Sequence, residues 1–346
     1  VDPSFHRLEP LALPYNAITA VAAVAAHADR VVAIAASSQS EPAVVELDLA
    51  GATRVLHQPR PAPVEPAWVS EARAISFPSA GGRTAHALYY PPANPEVAGP
   101  EHERPPLVVM SHGGPTGAAD PSLHLPIQFW TSRGLAVVDV NYGGSTGYGR
   151  AYRDLLKGQW GVVDVDDCVA AATHLAETGA VDPARVVIHG SSAGGFTALA
   201  ALAFRGGFAG AASYYGVADL QLLAAETHKF ESRYLDGLVG PWPEAAATYR
   251  ERSPLYGADQ LTVPVILFQG LEDKVVPPSQ AEAMVAALRA NGVPFAYVTF
   301  ATEGHGFRQA GSVIRAIEAE LWFFARVLGF QPADQLAPVP VENLDR

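Results

Sequence analysis

From about residue 74 onward, short unbroken apolar runs alternate with longer helical stretches, and that alternation leaves the chain few architectures. The runs are LVVMS (107–111), LAVVDV (135–140), RVVIHG (185–190), GAASYY (210–215), VILFQG (265–270) and FAYVTF (295–300). None alternates apolar with polar residues, so each reads as a strand buried on both faces. Between them the spacing predicts helices over 162–178, 193–204, 279–291 and 312–327. Strand–helix alternation of this length implies an α/β fold, a mostly parallel central sheet covered by helices. An antiparallel hairpin, ARAISF then RTAHALYY across an AGGR turn, is expected at the sheet's edge.

The first 66 residues follow another pattern. ADRVVAIAASS, PAVVELDL and TRVLHQ read as short strands joined by tight turns, about one four-stranded unit. PRPAPVEP (59–66) is an extended proline-rich connector. One small sheet is marginal alone. It is therefore expected either to pack on the main domain or to be the last piece of a repeat array. The expected divisions are thus 1–66, 67–330 and a tail, 331–346, lying loosely on the surface.

Bulk properties exclude several functions. A formal net charge of −12 over 346 residues argues against a phosphate-backbone partner, so no nucleic acid is expected. Hydrophobic residues at 49% with 17% charged describe a packed globular chain. The alanine-rich ITAVAAVAAHADRVVAIAA is interrupted by His27, Asp29 and Arg30 and lacks a cationic lead-in. It reads as neither a membrane span nor a signal peptide, and no membrane partner is expected. The single cysteine, Cys168, lies in an amphipathic helical stretch and is expected to be a small buried apolar residue. That usage suits a cytoplasmic location. Secretion stays open, because the chain starts at Val1 rather than Met.

Chemistry concentrates in HGSSAGGFTAL (189–199), where Gly190, Ser192 and Gly194 fit G-x-S-x-G. The motif alone arises readily by chance in a chain with 31 glycines. Its setting is more specific: RVVIHG is a strand and AGGFTALAALAF a helix, so Ser192 falls at a strand-to-helix turn. A nucleophile elbow needs that context, a sharp turn exposing the hydroxyl above the sheet's carboxyl edge. A phosphate cradle is the obvious rival for a glycine-rich turn, but neither G-K-[ST] nor G-x-G-x-x-G follows the strand. Ser192 is preferred to Ser191 because only it has glycine at both spacings.

A serine hydroxyl needs a base. In α/β-hydrolases the chain order is Ser, then Asp or Glu, then His. Only His228 and His305 follow Ser192. His305, in TEGHGF after the last strand, is the expected base, whereas His228 comes too early to leave an acid on a strand end before it. Of Asp219, Asp236, Asp259 and Asp273, only Asp273 follows a strand end, with neighbouring Glu272 the next candidate. The expected oxyanion donors are the backbone N–H groups of Ala193 and of Gly114, in the loop MSHGGPTG (110–117).

These segments together resemble the prolyl oligopeptidase-type serine peptidases, particularly their acylaminoacyl-peptidase-like and aminopeptidase-like members. The matching stretches are HGGPTG (112–117), NYGGSTGYGR (141–150), GQWGVVDVDD (158–167), VDPARVVIHGSSAGG (181–195), QGLEDKVVPPSQ (269–280) and EGHGF (303–307). The resemblance covers about residues 70 to 330. It implies an α/β-hydrolase fold preceded by a β-propeller, of which the strand unit at 10–57 looks like the last blade. Contact with absent blades, or with another chain, follows as an expectation. One departure is Gly143, where the family pattern usually has Arg. The resemblance also implies an apolar pocket for the residue before the cut bond, and points to Val217, Leu220, Phe230 and Tyr234.

The expected activity is hydrolysis of short peptides or aminoacyl amides through an acyl-enzyme, with no metal or organic cofactor. H-E-x-x-H is absent, and His102 between two glutamates reads as a solvated charge cluster. A carboxylesterase with the same triad is the first alternative, since motifs do not separate esters from amides. A non-catalytic binding subunit is the second.

Overall fold

The computed structural model describes residues 10–23, 29–61, 63–226 and 233–344. A four-stranded antiparallel sheet comes first: β1 (Ala17–Ala23), β2 (Arg30–Ser37), β3 (Ser40–Asp48) and β4 (Thr53–His57), neighbours in sequence pairing in space. Its inner face is small and apolar, with Ala33, Ala35, Val45 and Leu47 buried. It meets the rest of the chain through Leu123, whose N–H donates to Ser37 (2.9 Å), and Asn16, whose amide donates to Pro121 (3.1 Å).

The second sheet has eight strands. They are β5 (Arg73–Pro78), β6 (Thr84–Tyr90), β7 (Leu107–Ser111), β8 (Ala136–Asn141), β9 (Val186–Ser191), β10 (Gly210–Tyr214), β11 (Val265–Gly270) and β12 (Phe295–Phe300). Their order is β12-β11-β10-β9-β7-β8-β6-β5. The pairs from β12 to β8 are parallel; β6 joins β8 antiparallel, and β5 closes the edge as a hairpin with β6. This is an α/β-hydrolase sheet.

Nine helices lie among the described residues. They are α1 (Leu125–Thr131), α2 (Arg150–Arg153), α3 (Val163–Glu177), α4 (Ala193–Phe204), α5 (Leu220–Glu226), α6 (Tyr234–Leu238), α7 (Ala246–Arg252), α8 (Pro278–Ala290) and α9 (Ala310–Leu328). Because successive strand residues point to opposite faces, each apolar run feeds two cores. Val109, Ile188, Ala211 and Val265 pack under α3, α4 and α8, with Cys168 fully buried among them. Val108, Val187, Ala212 and Ile266 pack under α1 and α9, where Trp130, Phe323 and Phe324 fill the layer. Among the described residues no helix is long and apolar enough to cross a membrane.

The stretch after Phe330, expected to lie loosely, is held in place. Val339 is buried against the α1–α9 core. The Phe295 and Glu342 backbones exchange two hydrogen bonds (3.0 and 2.8 Å) beside β12. Arg289 pairs with Glu342 (2.7 Å) and Arg133 with Asp334 (2.7 Å). Proline-rich segments show no periodicity, so these long-range anchors leave no local trace.

Candidate active site

Apart from Tyr234, which opens α6 beyond α5, every expected site residue in the described chain follows the carboxyl end of a strand or opens the helix after it, the edge where parallel α/β sheets gather their ligands. Ser192 follows β9, Gly114 follows β7, Val217 follows β10, Asp273 follows β11 and His305 follows β12.

The turn at Ser192 is as tight as its sequence implies. Ser192 has φ 56° and ψ −118°, a conformation that costs a non-glycine residue about 1–3 kcal/mol. Its N–H donates to Tyr214 (2.9 Å), and its carbonyl accepts from Phe196 (3.0 Å), starting α4. The glycines are required by contact. A Cβ at Gly190 would overlap the carbonyl of Gly194, and one at Gly194 would overlap the carbonyl of Ser111, both backbone atoms that cannot swing away. Gly194→Ala is therefore expected to destabilise the fold by about 3 kcal/mol. Urea unfolding followed by tryptophan fluorescence reads this as a lower midpoint.

Three side chains meet at this edge. The Ser192 hydroxyl lies 2.9 Å from His305 Nε2, and His305 Nδ1 lies 2.7 Å from Asp273 Oδ2. Asp273 is buried, and its other oxygen accepts the N–H groups of Val275 (2.8 Å) and Val276 (2.9 Å). The carboxylate is thus fixed before it meets the imidazole. The His305 loop is closed by a residue that sequence reasoning missed: buried Glu303 accepts the N–H groups of Arg308 (3.0 Å) and Gln309 (2.9 Å). A hydroxyl bonded to an imidazole whose far nitrogen faces a buried carboxylate can lose its proton as it attacks a carbonyl. Neighbouring Glu272 is exposed.

Beside the serine lies a cavity of about 280 Å³, lined by Gly114, Ser192 and Ala193 at its polar end. Gly114 has φ +59°, a left-handed turn that suits glycine. The loop is held from behind by His112, stacked on Tyr142 at 4.3 Å. Burial pushes the His112 imidazolium down to about 4, so the ring is neutral near pH 7. It can accept from the Ser145 hydroxyl at Nε2 (2.8 Å) and donate from Nδ1 to Gly113 (3.2 Å).

The apolar end of the cavity differs in membership from the expected pocket. Val217 and Tyr234 line it; Leu220 is fully buried and does not; Phe230, like His228, lies outside the described residues. Pro115, Trp160, Leu223, Leu235, Val275 and Val276 complete the walls. Trp160 and Val276 belong to segments that carried the resemblance, yet neither segment has a period that tells where a side chain points. The Trp160 backbone is held by Leu238 (3.1 Å) and Arg252 (3.1 Å), and the next turn by Asp164, whose buried carboxyl accepts from Gly161 N–H (2.6 Å) and from the Thr197 hydroxyl (2.6 Å). Burial pushes that carboxyl up to about 6.

Gly143 fits its surroundings without a side chain. A Cβ there would come within 2.7 Å of Val163 and 3.1 Å of Leu155. Its N–H donates to Asp167 (2.8 Å), a carboxylate also held by Ser79 and by Arg83 (3.0 Å) from the edge hairpin. His102 and its flanking glutamates are exposed, and no group of three or more metal-ligating side chains occurs among the described residues.

Comparison with known proteins identifies relatives of the chain. A family model described as the prolyl oligopeptidase family matches residues 121–331. A solved puromycin-hydrolysing peptidase of Mycobacterium tuberculosis is 47% identical, with a TM-score of 0.93 over 99% of this chain and 52% of that one. A second solved puromycin hydrolase is 45% identical, with a TM-score of 0.93 over 99% of this chain and 51% of that one. Dipeptidyl aminopeptidase BIII of Pseudoxanthomonas mexicana is 32% identical over 208 residues, 58% of this chain and 30% of that protein. The chain thus spans about half the length of the solved relatives and under a third of the curated one.

Proposed function

Because the chain belongs to the prolyl oligopeptidase family, we propose that it hydrolyses aminoacyl amides and short peptides through an acyl-enzyme on Ser192. The observation that carries this reading is the hydrogen-bonded series Asp273–His305–Ser192 at the mouth of an apolar cavity. His305 takes the serine proton during attack and returns it to the leaving nitrogen, while Asp273 stays ionised and fixes the ring. The N–H groups of Gly114 and Ala193 receive the oxyanion, each donor contributing about 10²–10³ in turnover. Val217, Leu223 and Leu235 take the acyl residue's side chain. An aminoacyl side chain, such as the one that puromycin carries, suits a cavity of about 280 Å³.

The test is a paired assay on the full chain. Aminoacyl and acyl-aminoacyl p-nitroanilides form one set, short-chain p-nitrophenyl esters the other. Release of p-nitroaniline supports the proposal; turnover of esters alone replaces it with an esterase. Failure of a fluorophosphonate probe to label Ser192 in the folded protein would leave only a binding function.

A further inference from the structure

His305 stands between two glycines, so its own segment gives the ring little support. Gly306 has φ +90°, and a Cβ there would meet nothing within 4 Å. Glu303 binds the loop's backbone beyond the ring, at Arg308 and Gln309. The contacts to Asp273 (2.7 Å) and Ser192 (2.9 Å) fix the two nitrogens. Hydrogen bonds of this kind keep most of their strength through roughly 30° of misalignment. Productive catalytic geometry has to be held within about 10–20°. A further contact must narrow the tilt of the ring.

Tyr215 supplies that contact. Its ring stands edge-on to the imidazole, with centroids 4.8 Å and planes 62° apart. Phe307 packs on Tyr215 at 5.3 Å, nearly perpendicular, and on Phe300 at 4.5 Å. Tyr215 reaches this place through an unusual backbone. It directly follows β10 and has φ 39°, a left-handed conformation that strains a non-glycine residue and recurs at functional sites. Were β10 to continue, alternation would send Tyr215 to the face opposite Tyr214. The turn instead brings its ring onto Phe307, which lies with Tyr214 on the α1–α9 side of the sheet. Neighbours hold the turn. The Tyr215 N–H donates to Phe268 (2.7 Å), and a Cβ on the next residue, Gly216, would come within 2.2 Å of the Ser213 hydroxyl oxygen. The Tyr214 carbonyl accepts the Ser192 N–H (2.9 Å), so the strained turns that end two adjacent strands are tied together. Burial pushes the Tyr215 hydroxyl up from the ordinary tyrosine value, so it is neutral near pH 7 and is no base.

We propose that Tyr215 is a positioning residue for the base: its ring fixes the plane of the His305 imidazole, and Phe307 acts through it. The inference rests on the acyl-transfer reading above. With the plane fixed, the Ser192 proton passes to Nε2 as Oγ bonds to the carbonyl carbon. The same proton then goes to the leaving nitrogen as the C–N bond breaks. Tyr215 is not among the residues lining the cavity beside the serine, so it acts on turnover and not on substrate binding.

The test is kcat and KM of the full chain and its variants toward an aminoacyl p-nitroanilide, or the matching p-nitrophenyl ester if only esters turn over. Turnover is counted per serine titrated with a fluorophosphonate, so a poorly folded variant does not mimic the effect. Tyr215→Leu removes the ring and keeps an apolar side chain. It is expected to lower kcat about tenfold, less than the roughly 10²-fold loss from a misplacement of about 1 Å, with KM within about twofold. Tyr215→Phe keeps the ring and is expected within about twofold of the parent. Phe307→Leu is expected to lower kcat about threefold alone and to add nothing to Tyr215→Leu, since residues in contact are coupled. A Tyr215→Leu variant that turns over like the parent overturns the inference. So does an equal loss in Tyr215→Phe, which would assign the effect to the hydroxyl, and so does a loss carried by KM. Full additivity of Phe307→Leu with Tyr215→Leu overturns the route through Tyr215. An unaltered chain that neither takes up the fluorophosphonate nor turns over either substrate overturns the acyl-transfer reading itself, and this inference with it.

Discussion

Ser192→Ala is expected to lower kcat/KM toward aminoacyl p-nitroanilides by about 10⁶-fold, the loss typical when a triad nucleophile is removed. The change deletes one oxygen from a partly buried turn and adds nothing. Alanine also carries a Cβ, so the φ of 56° is as strained for it as for serine, and the change relieves no backbone strain. The folded variant should therefore match the parent in its unfolding midpoint within about 0.5 kcal/mol. Residual turnover above the water rate belongs to the Gly114 and Ala193 donors and to the cavity. A variant that kept a tenth of the parent's activity would remove Ser192 from the mechanism and turn attention to another nucleophile.

Asp273→Asn tests a subtler requirement and is expected to cost about 10⁴ in kcat. The carboxylate's Oδ1 accepts two backbone N–H groups, from Val275 and Val276. An asparagine must keep its carbonyl oxygen there, because an amide NH₂ cannot accept. Its NH₂ is then left facing His305 Nδ1 in place of Oδ2. The ring becomes an acceptor at Nδ1 and carries its hydrogen on Nε2, the nitrogen that must receive the serine proton. Geometry survives while the tautomer is wrong. The measurement is kcat against pH for both enzymes. Loss confined to kcat, with KM within about threefold, distinguishes a misassigned proton from a disturbed cavity.

Much of this site was legible because its determinants are local. The six apolar runs became β7 to β12 with ends shifted by at most one residue, since double-sided burial leaves an unbroken apolar signature. The proposed serine, acid and base were reached by asking which residues of the right type follow a strand. What stayed hidden depends on orientation. Leu220 and Leu223 sit in one short helix, yet only Leu223 lines the cavity, and helix rotation about its axis is set by partners such as Ser253 and Gln280 far along the chain. Trp160 lies in an irregular turn with no period to reveal its direction. The Tyr215–Phe307 pair against His305 joins two loops about ninety residues apart, which no short window could connect.

The C-terminal segment also bears on solubility. β12 is the terminal strand of the eight-stranded sheet, and its outer row of backbone donors and acceptors would template pairing with another chain. Glu342 occupies the first position of that row through its backbone while its side chain holds Arg289. The same residue thus fills a ladder site and places a paired charge at the rim, two of the devices by which natural sheets resist edge-to-edge association. The last few residues of the described chain thus cover the start of a sheet edge that would otherwise offer its backbone groups to another chain.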